Sequence, residues 1–288
     1  MIEIAGRKIG DRYPCYVIAE IGINHNGSLD IARQLIEAAA INGCDAVKFQ
    51  KRTVPLVYSQ EELQRPRESP FGVTHGDLKE GLEFGRHEYE AINALCEENN
   101  ITWFASAWDY VSVDFLEEMH VPCHKIASAM LTDLDWLAYV CDTNKPIILS
   151  TGMSTLEQID AAMELVLEHG NECLLMHCVA TYPARDEHLN LRCLKTLRDR
   201  YAVDVGYSGH ERGLATTVAA VALGAVAVER HVTLDRSLWG SDQAASIEPQ
   251  ALYRLVRDIR AIEMAMGDGV KRVLPEEEPI AAKLRRVG

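Results

Sequence analysis

The chain has 288 residues, 48% of them hydrophobic, enough to bury one large α/β domain or two smaller ones. Twenty-nine lysines and arginines against 43 aspartates and glutamates leave a net charge of −14, which argues against a polyanion-coating surface and so against a nucleic-acid partner. No apolar run is long enough to span a bilayer, and the first ten residues lack the basic start and apolar core of a signal peptide, so a cytoplasmic protein without a membrane partner is expected.

The elements fall into a regular order. Residues 1–12 read as a β-hairpin, Ile2-Glu3-Ile4 and Arg7-Lys8-Ile9 turning at Ala5-Gly6. Short apolar runs then alternate with amphipathic stretches. Strands are expected at 16–20, 45–50, 102–106, 124–127, 146–150, 173–177, 204–207 and 226–230, with helices near 28–42, 87–99, 110–119, 133–143, 155–169, 190–201, 213–223 and 249–266. Ser28 and Ser154 stand where helix caps are needed. Eight strand–helix units in strict alternation predict an α/β fold of the (β/α)8 TIM-barrel type over residues 13–268, in preference to a doubly wound sheet. Residues 51–86 read as a single long loop of the lid or binding-loop kind. Residues 269–288 read as a linker-like tail. The eight cysteines fall singly inside apolar segments with no CxxC spacing, which predicts buried, reduced thiols.

Parity along the strands sorts the polar residues. Side chains alternate faces, and in a barrel one face points inward. Tyr16, Ile18 and Glu20 share a face; so do Ala46, Lys48 and Gln50, and likewise Ala225, Ala227, Glu229 and His231. Lys125, Ser150, His177 and Ser208 lie at or just beyond strand ends, where the βα loops of a barrel build its site. An inward lysine is costly to keep charged without an anion. Two of them, Lys48 and Lys125, with hydroxyls at Ser128, Ser150 and Ser208, point to an anionic ligand; the alternative is pairing with Glu20 or Glu229.

His210 and His231 lie 21 residues apart in sequence, at the ends of two successive strands. Each can give one imidazole nitrogen to a divalent ion, leaving open positions for water and substrate. The bland alternative is a pair of histidines hydrogen-bonded to Glu211 and Glu229 without metal. Trp108 and Trp239 follow the third and eighth strands, where an indole can wall a sugar pocket.

Ala19-Glu20-Ile21-Gly22-Ile23-Asn24-His25-Asn26-Gly27 followed by Asp45-Ala46-Val47-Lys48-Phe49-Gln50 resembles the sialic acid synthase family, whose members condense phosphoenolpyruvate with an aldose. Lys125-Ile126-Ala127-Ser128, Ser150-Thr151-Gly152, His177-Cys178 with Tyr182-Pro183, Ser208-Gly209-His210 and Glu229-Arg230-His231 continue the likeness in order, from about residue 13 to residue 275. The resemblance implies a cation, Mn²⁺ first and Mg²⁺ or Co²⁺ otherwise, at His210 and His231. It implies catalytic roles for Glu20, Lys48, Lys125 and the two histidines. It also implies substrate contacts at Asn24, Gln50, Ser106, Ser128, Ser150, His177, Tyr182, Ser208 and Asp242. The implied product is a 3-deoxy-2-keto sugar acid of the sialic (nonulosonate) type, formed from phosphoenolpyruvate and N-acetylmannosamine or a related aldose.

There are departures from that pattern. Family members usually carry a C-terminal antifreeze-like domain that reaches the partner subunit's substrate; here Leu284-Arg285-Arg286-Val287-Gly288 stands about where it would begin, so a homodimer, or a separate protein supplying that domain, is the expected partner. Met130, Ala180 and Ala107 replace a usual glutamate, asparagine and threonine, and the 236–246 loop replaces a Pro-Gly-Pro-Asp-His stretch. Two other readings compete: a Schiff-base aldolase using Lys48 or Lys125, and an inactive barrel that binds a sugar or a partner protein. The synthases of eight-carbon and aromatic-precursor keto acids share the chemistry but match these segments less well.

Overall fold

The computed structural model describes residues 1–287. Strands β1 (Ile2–Ile4) and β2 (Arg7–Ile9) pair antiparallel around Ala5 and Gly6, both at positive φ, the twist a two-residue hairpin requires. Ile2, Ile4 and Ile9 are buried in the main core, while Arg7 pairs with Asp45 and the N-terminal amine lies 2.7 Å from Asp204. Those aspartates sit at the starts of barrel strands, so the hairpin covers the N-terminal end and leaves the other end open.

The barrel begins with β3 (Tyr16–Gly22), α1 (Leu29–Ile41) and β4 (Ala46–Lys51). Ser28 caps α1 by accepting from the Ile31 N–H at 3.3 Å, and Ala32, Leu35, Ile36 and Ala39 bury one stripe of it. Each such aliphatic side chain larger than alanine contributes about 1.5–3 kcal/mol relative to exposure.

Residues 51–86, expected as one irregular loop, contain α2 (Val54–Val57), α3 (Gln60–Leu63), a hairpin of β5 (Pro66–Ser69) and β6 (Gly72–Thr74), and α4 (His75–Leu82). Capping boxes start α3 at Ser59/Glu62 and α4 at Thr74/Asp77. The hairpin is fastened down by Phe71: a Cβ on Gly81 would come within 2.1 Å of its ring and one on Gly27 within 3.0 Å. Short polar elements inside a proline-bearing stretch carry too little hydrophobic periodicity to be read from sequence.

The chain continues through α5 (Arg86–Glu98), β7 (Thr102–Ala107), α6 (Tyr110–Glu118), β8 (His124–Ile126), α7 (Leu134–Cys141), β9 (Ile147–Ser150) and α8 (Leu156–His169). Thr155 rather than Ser154 caps α8, in a capping box with Gln158, and Gly170 at φ 80° ends it. Next come β10 (Cys173–Cys178), α9 (Cys193–Tyr201), β11 (Asp204–Gly209), α10 (Ala215–Ala222), β12 (Ala227–His231) and α11 (Pro249–Met266). The eight strands β3, β4 and β7–β12 close into a parallel barrel, β12 pairing back onto β3. Within the expected tail, Glu278–Leu284 form a further exposed helix, α12. All eight cysteines are free, and seven are buried. No helix among the described residues is long and apolar enough to cross a membrane.

Candidate active site

A cavity of about 700 Å³ opens among the C-terminal strand ends. Strand register builds its floor: Glu20 sits opposite Lys48, His231 opposite Glu20, and Ser208 opposite Glu229. The inward parity expected for these residues holds. The Lys48 ammonium lies 2.9 Å from Glu20 Oε1, donates to Ser106 Oγ at 3.1 Å and stands 3.8 Å from Glu229 Oε1. Gln50 also donates to Glu20 Oε1, at 3.0 Å.

Burial sets two carboxylates apart. It pushes Glu20 up to about 7, only partly offset by the Lys48 charge. Glu229 feels the same burial, but the ammonium groups of Lys125 and Lys48 hold it below the usual carboxylate range. Glu20 Oε2 and Glu229 Oε2 are buried without hydrogen-bond partners, so each presents a free oxygen to whatever enters.

On the opposite wall Lys125 donates to Ser150 Oγ at 2.6 Å and lies 3.9 Å from Glu229 Oε2. Burial lowers its pKa, and an arriving anion would favour its charged form. Ser128 Oγ accepts from the Gly152 N–H at 3.0 Å and touches Cys178 Sγ at 3.2 Å. Glycine is required at 152 because a Cβ there would fall 2.8 Å from Ser128 Oγ. Ser208 Oγ completes the group, 3.5 Å from Glu229 Oε1. The lysines therefore pair with Glu20 and Glu229, and both also line the cavity.

The histidines sit beside this corner, their ring centroids 5.4 Å apart. His210 follows β11 and His231 is the last residue of β12. His210 Nδ1 donates to the Val179 carbonyl at 2.7 Å, which fixes the tautomer and leaves Nε2 as a free acceptor. His231 Nδ1 is buried without a partner, 3.8 Å from Asp242 Oδ2. Burial lowers both pKa values, His210 to about 4, so both rings are neutral near pH 7. Two neutral imidazoles, one locked and one orphaned, fit a divalent cation with open positions. No group of three or more His, Cys, Asp or Glu side chains with metal-ligand geometry occurs among the described residues. Glu211 does not bond His210 as the metal-free alternative supposed: it is taken up by Arg230 at 3.2 Å, Tyr207 at 2.9 Å and Thr217 at 2.7 Å.

Tyr182 packs its ring 4.2 Å from that of His210 and edge-on to His231. Two expected substrate residues fall elsewhere. His177 precedes the inward Cys178, so its ring points away from the cavity and bonds the Leu189 carbonyl at 2.7 Å. Asn24 is buried in a clamp, donating to the Val232 carbonyl and to Ser246 Oγ, both at 2.8 Å. Arg52, which no sequence pattern singles out, stacks 4.5 Å over Trp108, and that indole lines the cavity.

The family model described as the NeuB family matches residues 35–271. The chain is 38% identical to the human N-acetylneuraminate-9-phosphate synthase over 282 residues, covering 97% of this chain and 79% of that protein. It is also 38% identical to the N,N'-diacetyllegionaminic acid synthase of Campylobacter jejuni, over 91% of this chain and 80% of that one. A crystal structure of the N-acetylneuraminic acid synthetase of Leptospira borgpetersenii in complex with citrate superposes with a TM-score of 0.87 at 30% identity, covering 99% and 98% of the two chains. On these grounds the chain belongs to the NeuB family.

Proposed function

We propose that this protein condenses phosphoenolpyruvate with an aldose to give a sialic acid-type 3-deoxy-2-keto sugar acid and phosphate. The observation that carries the reading is the convergence of Lys48, Lys125 and the Ser128, Ser150 and Ser208 hydroxyls on one cavity, with two neutral imidazoles beside it. The lysines and serines bind the carboxylate and phosphate of phosphoenolpyruvate. His210 and His231 would hold a divalent cation, Mn²⁺ first and Mg²⁺ or Co²⁺ otherwise, which when bound supplies Lewis-acid polarisation of the acceptor aldehyde.

This chain's own groups then handle charge and protons. C3 of phosphoenolpyruvate attacks the aldehyde carbon, and Glu20, poised near pH 7, gives a proton from its unpartnered Oε2 to the aldehyde oxygen. Positive charge develops at C2, beside the ionised Glu229. Water adds there and passes its proton to Glu229, whose Oε2 is free. The tetrahedral centre collapses to the ketone with C–O cleavage, its hydroxyl proton passing back to Glu20 and the proton held by Glu229 passing to the departing phosphate, which Lys48 and Lys125 stabilise. Tyr182 and Trp108 wall the sugar end.

The same reading carries cytoplasmic residence and a homodimer. The test is phosphate release from phosphoenolpyruvate with Mn²⁺ and a panel of aldoses, the products identified by mass. Release that requires an aldose supports the reading; no release with any aldose contradicts it.

A further inference from the structure

Arg52 stands just past the end of β4, buried, and is not among the residues that line the active-site cavity. The turn it sits in is fixed through other groups. Glu83 takes the Lys51 ammonium at 2.7 Å and the Arg52 backbone N–H at 3.0 Å, and Asp109 takes the Thr53 N–H at 2.7 Å. The Arg52 side chain is therefore free for other work. Its guanidinium donates from Nη2 to Gln50 Oε1 and lies 4.5 Å over the Trp108 ring. Arg52 Nε is buried without a partner, a cost that argues against a merely stabilising role.

Gln50 is the cavity residue that this contact controls. A guanidinium only donates, so it tolerates one orientation of the Gln50 amide: carbonyl toward Arg52, NH2 toward Glu20. Gln50 Nε2 accordingly donates to Glu20 Oε1 at 3.0 Å, beside the Lys48 ammonium at 2.9 Å. With both donors on Oε1, the carboxyl proton of Glu20 belongs on Oε2, the oxygen that has no partner. A flipped amide would turn its carbonyl to Oε1 and draw that proton into a hydrogen bond with Gln50. Lys48 does not prevent this, because a protonated carboxyl oxygen that accepts from an ammonium can still donate.

We propose that Arg52 is a positioning residue: by holding the Gln50 carbonyl, it keeps the Glu20 proton on the oxygen offered to the substrate. The proposal rests on the synthase reading above and adds a residue to its machinery. Arg52 touches neither substrate nor reacting atoms and acts through Gln50. Trp108 is the platform that aims the guanidinium.

The experiment measures kcat, and KM for phosphoenolpyruvate, with Mn²⁺ and the preferred aldose in Arg52→Met, Gln50→Met, the double variant and Arg52→Lys. Arg52→Met should lower kcat by about 10–100-fold, the size of a lost hydrogen bond from a charged donor, and leave KM for phosphoenolpyruvate within about 2-fold. In the Gln50→Met background no amide remains to orient, and the same substitution should change kcat by less than about 2-fold. Arg52→Lys keeps a charged donor and should recover most of the lost rate. An unchanged kcat in Arg52→Met, an undiminished loss in the Gln50→Met background, or a loss that Arg52→Lys repeats in full overturns the proposal and leaves the synthase reading standing. If Arg52→Met does not fold, Arg52→Gln takes its place, since a neutral amide that can itself turn does not fix its neighbour, and the same outcomes apply. If the parent chain releases no phosphate from phosphoenolpyruvate with any aldose, the synthase reading fails. Urea unfolding then decides the contact alone: non-additive losses at residues 50 and 52 support it, and additive losses overturn it.

Discussion

Arg230 and Glu211 form a fully buried ion pair, 3.2 Å apart, and each is the sequence neighbour of one imidazole: Glu211 follows His210 and Arg230 precedes His231. The arginine also donates to the Gly213 carbonyl and to Thr217 Oγ1, both at 2.8 Å. The pair ties β12 to the loop after β11, and so sets the spacing of the two rings. Removing one partner strands a buried charge, which costs about 3–5 kcal/mol. Arg230→Met should lower the urea-derived stability by that amount, and Glu211→Gln by less, because the hydrogen-bond shape survives. An Arg230→Met variant as stable as the parent would show that the pair contributes no net stability.

His231 has no structural hydrogen bond through Nδ1 to lose. His231→Ala should therefore abolish turnover while the fold persists, with a loss of about 0.5–3 kcal/mol in unfolding free energy for the buried ring. Mn²⁺ affinity, followed by the free-ion paramagnetic signal, should fall with it. Undiminished turnover after the cation has been stripped by chelation would refute the role given to both histidines.

Glu20→Gln keeps the shape of the pocket floor but removes the proton donor. A drop in kcat of about 10²–10⁴-fold is expected, the ordinary size of a lost general acid. Lys125→Met should act differently, raising KM for phosphoenolpyruvate, since that ammonium faces the anion corner through Ser150. Steady-state kinetics separate the two, and a Glu20→Gln enzyme with unchanged kcat would transfer the proton role to another group.

His25 provides a pH signature of folding. It stacks on Phe84 at 3.9 Å, accepts from the Gly27 N–H at 3.1 Å, and is pushed by burial from 6.5 down to about 3. A depressed folded pKa means the unfolded chain binds the extra proton first. Stability from this group is complete above pH 6.5 and is lost as pH falls toward 3. The slope reaches about 1.4 kcal/mol per pH unit at most. His25→Asn keeps an acceptor for Gly27, and its denaturation midpoints should be flatter between pH 6 and pH 4 by roughly one proton's worth of slope. An unchanged slope would mean that His25 titrates alike in both states.

The barrel and its floor were legible because strand parity is a strict period of two: Glu20, Lys48, Glu229 and His231 fall inward by counting alone. His177 was misplaced at a strand end, where one residue decides the face and its neighbour Cys178 took the inward position. Asn24 looked like a ligand residue because a polar side chain in a βα loop does not announce whether its partner is substrate or backbone. Arg52 carried no signal, since only the fold lays its guanidinium over Trp108 and against Gln50.

The most direct measurement supplies phosphoenolpyruvate carrying ¹⁸O in its bridging C–O–P oxygen, together with Mn²⁺ and the preferred aldose, and follows the label by mass. The expected result is a 3-deoxy-2-keto sugar acid free of label and inorganic phosphate that carries it. Label retained in the keto product, or pyruvate formed in place of a condensed sugar acid, would contradict the chemistry assigned to Glu20, Glu229 and the two lysines.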